Sequence, residues 1–220
     1  FNPTLLRARV NASLEKKKLR DQETSYMEQL EIAHRRADDL LHAILPDGAV
    51  NELKTTDEVK PRRYDDVSVL FCDIVDFTEY CDRHSPENVV SELQTLVLVF
   101  EDIVHRHGME KIKTIGDAFL ATGGLLHPHP DAVLASVRCG LDMVAASKEL
   151  EPYWQVRVGI HSGPVVAGIV GRRKFLFDLW GDTVNVASRI SDQAAPGSVV
   201  TSSETWMQIH SFCQGHSLGK

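Results

Sequence analysis

From Val10 to Leu45 the chain contains neither proline nor glycine, and its residues are strong helix formers rich in Glu, Lys, Arg and Leu. Such a run predicts one long helix, ended by Pro46, which cannot continue the hydrogen-bond ladder. At 1.5 Å per residue the helix reaches about 50 Å, too far for one small domain to cover. Leu19, Tyr26, Leu30, Ala33, Ala37, Leu40 and Ile44 fall largely at alternating spacings of three and four, the seam of a two-stranded coiled coil, interrupted by Glu23. The pattern favours dimerisation over packing of the helix along its own domain.

Beyond Pro46, residues 46–63 read as a short helical turn and a polar linker containing Pro61. A globular domain is expected over 64–220. Val67–Phe71 reads as a buried strand, Pro86–His107 as a helix, and Lys111–Ile115 with Ala118–Ala121 as a hairpin around Gly116-Asp117. A helix over Asp131–Leu150, a strand over Gln155–His161 and a second hairpin from Val165–Val170 and Phe175–Leu179 follow. Thr183–Ala194 is helical, Val199-Val200 begins a further strand, and Ser202 caps a last short helix to His210. The elements alternate without a strict βαβ rhythm. They predict an α+β fold, an antiparallel-rich sheet with helices packed on it.

With 43% hydrophobic residues the chain can bury one sizeable core. It has no apolar run of membrane-spanning length, and its polar start lacks a secretory signal, so the cytosol is the expected compartment. Cys72, Cys81, Cys139 and Cys213 are widely spaced without a C-x-x-C pair, which suits reduced thiols. A net charge of -7 argues against a general nucleic-acid binder, so any phosphate ligand must be held locally. Lys16-Lys17-Lys18, Arg35-Arg36, Arg62-Arg63 and Arg172-Arg173-Lys174 are short basic clusters whose default reading is a solvated face. His127-Pro128-His129-Pro130 reads as an exposed proline-rich loop.

Asp73 directly follows the first apolar strand, and Asp117 occupies the hairpin turn. Two carboxylates brought together on such rigid platforms repel unless a cation joins them, and oxygen-only ligands suit magnesium or manganese. Spacing alone leaves the alternative that each is a turn former or cap.

Asp73-Ile74-Val75-Asp76-Phe77-Thr78, Lys111-Ile112-Lys113-Thr114-Ile115-Gly116-Asp117-Ala118 and the segment from Asp178 to Arg189 resemble, in order and spacing, the signature segments of class III adenylyl and guanylyl cyclase catalytic domains. Val158–Val165 is similar to the same family, so the resemblance covers most of Tyr64–Phe212. It implies the ferredoxin-like cyclase fold and an enzyme converting ATP to 3′,5′-cyclic AMP and pyrophosphate. Asp73, Asp117 and the main-chain carbonyl of Ile74 would hold two Mg2+ or Mn2+ ions. The backbone of Phe77 and Thr78, opening the next helix, would cradle phosphates. Lys113 and Asp178 occupy the base-reading positions: a donor and an acceptor match adenine, while guanine presents the opposite pattern. Asn185 would orient the ribose, and Arg189 would stabilise charge on the α-phosphate.

In this family the metal ligands come from one subunit and the base-reading and transition-state residues from the other, so a chain carrying both sets implies a homodimer with two shared sites. Phe1–Val10 resembles the closing segment of response-regulator receiver domains, so residues 1–45 are expected to hold the end of an upstream sensor or receiver domain and a signalling helix. Two departures stand out. Asp76 lies where the family often has glycine and should turn outward, and the chain stops at Lys220, before the family's final strands. The alternatives are a guanylate cyclase and a catalytically silent cyclase-homology module that only dimerises.

Overall fold

Helix α1 runs unbroken over Pro3–Ile44 in the computed structural model, which describes residues 3–56, 58–171 and 176–219. Phe1 and Asn2 of the receiver-like segment, the Arg172-Arg173-Lys174 cluster, Phe175 and Lys220 lie outside the described residues. The chain divides between Thr55 and Thr56 into two compact units. The first holds α1 and nearly all of α2 (Asp47–Thr56), a full helix where the sequence suggests only a turn and a linker. Lys54 on α2 pairs with Asp38 on α1 at 2.8 Å.

The second unit is built on one sheet. Its strands are β1 (Arg62–Ile74), β2 (Glu110–Ile115), β3 (Ala118–Gly123), β4 (Val156–Val170), β5 (Leu176–Trp180) and β6 (Val199–Thr201). The order is β2-β3-β1-β4-β5 with antiparallel neighbours throughout, and β6 joins β4 in parallel. This is the antiparallel-rich α+β architecture expected from the sequence. The helices are α3 (Phe77–Arg83), α4 (Pro86–Arg106), α5 (Ala132–Ser147), α6 (Asp182–Gln193) and α7 (Ser203–Ile209).

Strand β4 is continuous where the sequence suggests two strands separated near Gly163-Pro164. The β1–β4 register explains this: Tyr64 pairs with Val165 and Val67 with Gly163, so Asp65 and Asp66 bulge opposite Pro164. Proline has no N–H to donate, and a bulge at that point removes the demand for one.

Period-two alternation along β1 sorts its side chains to two cores. Leu70, Cys72 and Ile74 pack with Leu96, Phe100 and Ile103 of α4 and with Cys139 and Met143 of α5. Val67, Val69 and Phe71 face Leu120, Val165, Leu179 and Ala187 on the other side, where α6 lies. Contact there is close enough to require a glycine. A Cβ on Gly159 would sit 2.2 Å from the Ser191 nitrogen and 2.6 Å from the Ala187 carbonyl. Cys72 and Cys139 are buried, Cys81 and Cys213 half-buried, and all four are free thiols. No described helix is long and apolar enough to cross a membrane.

Candidate active site

Asp73 is the penultimate residue of β1, and Asp117 lies in the two-residue turn between β2 and β3, where Ile115 pairs with Ala118. Gly116 takes φ +62° in that turn, the left-handed region that such hairpin turns use and glycine enters without strain. Because Cys72 pairs with Phe119, the β2–β3 turn lies beside the end of β1, at the same end of the sheet. The Asp117 carboxyl is raised above its ordinary 3.8. Burial is the main cause, and the charge and side-chain hydrogen bond of Asp73 push the same way, against its own backbone N–H and Arg157.

Arg157 was not singled out in the sequence, yet it is the principal partner of Asp73. It stands directly opposite Asp73 in the β1–β4 register. Its Nε and Nη2 donate to Asp73 Oδ2 at 2.9 and 2.6 Å, and Nη1 donates to the Asp192 carbonyl of α6 at 2.8 Å. One cation therefore offsets two part-buried carboxylates and ties β1 to α6. That deficit of positive charge, with oxygen-only donors, fits a divalent hard cation. No group of three His, Cys, Asp or Glu residues suited to a metal occurs among the described residues, so the carboxylate pair leaves further positions to carbonyl, water or phosphate oxygens.

Lys113 and Asp178 are sixty-five residues apart in sequence and belong to opposite edge strands, β2 and β5, yet Lys113 Nζ donates to Asp178 Oδ2 at 2.5 Å. The sheet curls until its edges meet there. A bulge aims the lysine: Lys111 pairs with Ala121 and Lys113 with Leu120, leaving Ile112 as the extra residue. Asp178 is fixed from its other oxygen, which accepts from the Leu179 N–H at 2.8 Å. Both side chains are largely enclosed, with 26% and 14% exposure.

Asp76 adopts φ 57° and ψ 27°, the left-handed conformation in which glycine is at ease, and is exposed. It turns the chain from β1 into α3, whose first bond, from the Tyr80 N–H to the Asp76 carbonyl, leaves the N–H groups of Phe77 and Thr78 ahead of the helical ladder. Phe77 packs on Trp154 with ring centroids 6.2 Å apart. Ile74 is buried at the end of β1. Asn185 and Arg189 are exposed on α6, and among the described residues no hydrogen bond or ion pair joins either to the two acidic sites. The structure thus brings together Asp73 with Asp117 and Lys113 with Asp178, and leaves Asn185 and Arg189 facing outward.

A family model described as the adenylate and guanylate cyclase catalytic domain matches residues 59–216. The chain belongs to this cyclase family. An adenylate cyclase of Mycobacterium tuberculosis is 38% identical to this chain over 185 residues, covering 82% of the chain and 42% of the relative. The rat guanylate cyclase soluble subunit beta-2 is 34% identical over 196 residues, covering 86% of the chain and 28% of the relative. The chain thus spans less than half the length of either curated relative. Among solved structures, the catalytic core of a rhodopsin-guanylyl cyclase with converted specificity, in complex with ATPalphaS, superposes with a TM-score of 0.66 at 35% identity. That alignment covers 68% of this chain and 84% of the other.

Proposed function

We propose that the chain is an adenylate cyclase that closes ATP into 3′,5′-cyclic AMP and pyrophosphate, and that it works as a homodimer. The observation that carries the choice of ATP is the Lys113–Asp178 pair. A donor and an acceptor held 2.5 Å apart, largely out of water, offer a hydrogen to adenine N1 and accept one from its exocyclic amine. Guanine offers a protonated N1 and a carbonyl instead, leaving both protein groups mismatched, which is how a polar site discriminates strongly.

Asp73, Asp117 and the Ile74 carbonyl would hold Mg2+ or Mn2+ at the end of β1. Bound there, the ions would lower the cost of ionising the ribose 3′-hydroxyl and offset charge on the departing pyrophosphate. Phe77 and Thr78 present N–H groups at the start of α3, suited to phosphate oxygens. Arg189 would stabilise charge that develops on the α-phosphate, and Asn185, one helical turn earlier on the same face, would orient the ribose.

Two surfaces support assembly with a second copy. Asn185 and Arg189 are exposed on α6, which leaves them open to complete a partner's site. Along α1, Leu19, Tyr26, Leu30, Leu40 and Ile44 are all more than half exposed, and a coiled coil with a second α1 would bury them. An upstream sensor or receiver domain would act through that helix.

The test is turnover of ATP and of GTP by the purified protein with manganese, reading cyclic nucleotide and pyrophosphate. ATP should be preferred by at least about 100-fold in kcat/KM. Equal turnover of GTP would remove the base-reading assignment, and no product from either nucleotide would favour a silent dimerisation module.

A further inference from the structure

Outside the site just described, one cavity gathers basic side chains that the cyclase chemistry does not use. It measures about 330 Å3, the lower end of the range for small-molecule sites, and lies between the end of α4 and the start of α5. Arg106 and His107 close α4, Gly108 follows, His129 comes from the proline-rich loop, and Asp131, Leu134, Ala135 and Arg138 supply the α5 wall. Among the described residues neither Arg106 nor Arg138 makes a hydrogen bond or ion pair. His107 is already engaged, its Nε2 lying 2.8 Å from Asp142 Oδ2. Asp131 is the single acid in the lining.

We propose that this cavity binds a phosphate group, as free phosphate or as a small phosphate monoester, through Arg106, Arg138 and His129. Two guanidiniums without carboxylate partners at one concave surface offer forked donors matched to phosphate oxygens. The histidine is fixed for the same task. Its Nδ1 accepts from the Asp131 N–H at 3.2 Å, so the ring proton resides on Nε2, leaving that nitrogen a donor. The ring also lies against Gly108, where an added Cβ would meet His129 Cδ2 at 3.2 Å, and Gly108 holds φ +64°. Gly108 therefore gives the imidazole its seat by lacking a side chain. Just two residues on, Glu110 begins β2, the strand that carries Lys113, so a ligand here would stand at the root of the base-reading hairpin.

The proposal is independent of the nucleotide that the enzyme turns over, and residue-resolved amide NMR of the full chain tests it. The protein is titrated with sodium phosphate, with glycerol 3-phosphate, and with sodium chloride at matched ionic strength. Saturable shifts at Gly108, His129 and Leu134 are expected with the phosphate compounds and not with chloride, and the tighter of the two identifies the source. An Arg106→Gln/Arg138→Gln variant should lose at least about tenfold in affinity at those amides while shifts at Phe77 and Thr78 persist. Both arginines are exposed, which favours an intact fold. If the double variant nonetheless loses its dispersed spectrum, Arg138→Gln alone is read, with the same expectation of weakened binding. Shifts confined to Phe77 and Thr78, equal shifts with chloride, or unchanged affinity in the variant would overturn the proposal.

Discussion

At the scale of single residues, the carboxylate pair makes the sharpest demand. Asp117 has its carboxyl raised by burial and by Asp73, so in the metal-free protein its charge is a cost. A carboxyl with a folded value above its unfolded 3.8 binds its proton more tightly when folded, so stability falls as pH rises through that interval. Asp117→Asn should therefore melt higher than the parent protein at pH 7 without metal, and the difference should close as pH falls toward 3.8. Differential scanning fluorimetry reads this, and a lower melting point for the variant at pH 7 would contradict it. The same substitution should reduce cyclase activity by at least about 100-fold, a loss typical of removing a group that acts on the reacting centre. Asp73 and Asp117 were legible in the sequence through their motifs. Arg157 was not, because only the β1–β4 register sets it opposite Asp73, and no local pattern carries a cross-strand pairing. Asp76 was legible as a departure from glycine, and its left-handed φ of 57° gives the physical reason for that preference.

At the scale of elements, hydrophobic periodicity in the sequence located the long helices and most of the strands, yet it missed α2 as a full helix, the continuity of β4 and the bulges. Those at Asp65-Asp66 and at Ile112 leave no mark in local propensity, since each is defined by what the neighbouring strand does. They matter because one lets β4 run through Pro164 and the other turns Lys113 toward Asp178. The seating of α6 on β4 likewise depends on a neighbour. Gly159→Ala would drive a Cβ to within 2.2 Å of the Ser191 nitrogen, which is main chain and cannot swing aside. The variant should lose about 3 kcal/mol of stability, the upper range for overpacking a core. Displacement of α6 should also lower activity, by moving Asn185 and Arg189. Gly116→Ala is the control: nothing lies within 4 Å of its added Cβ, so only the left-handed backbone at φ +62° resists, at about 1 kcal/mol. Equal melting points for the two variants would mean that α6 is not held by this contact.

At the scale of the whole molecule, one chain carries both proposed sets of groups, and among the described residues no hydrogen bond or ion pair joins Asn185 or Arg189 to the rest. Lys113 and Asp178 pair with each other, Asp73 and Asp117 share Arg157, and Asn185 and Arg189 face outward from α6. If a partner completes each site, two inactive variants with lesions in different sets must rescue one another. By the proposed assignment, Asp73→Ala removes a metal carboxylate and Arg189→Ala removes the cation for the α-phosphate. Mixed in equal amounts and allowed to exchange, half of the dimers combine one of each, and in those one of the two sites contains both intact residues. About a quarter of parental activity should return, while each variant alone stays inactive. If α1 pairs with a second α1 as proposed, Leu30→Asp, which places a charge among the exposed apolar residues of that helix, should shift the dimer toward monomer in sedimentation. Activity of that variant should then rise with protein concentration more steeply than linearly. A mixture that stays inactive although sedimentation shows mixed dimers would place the whole site within one chain, and the outward-facing Asn185 and Arg189 would then need another role.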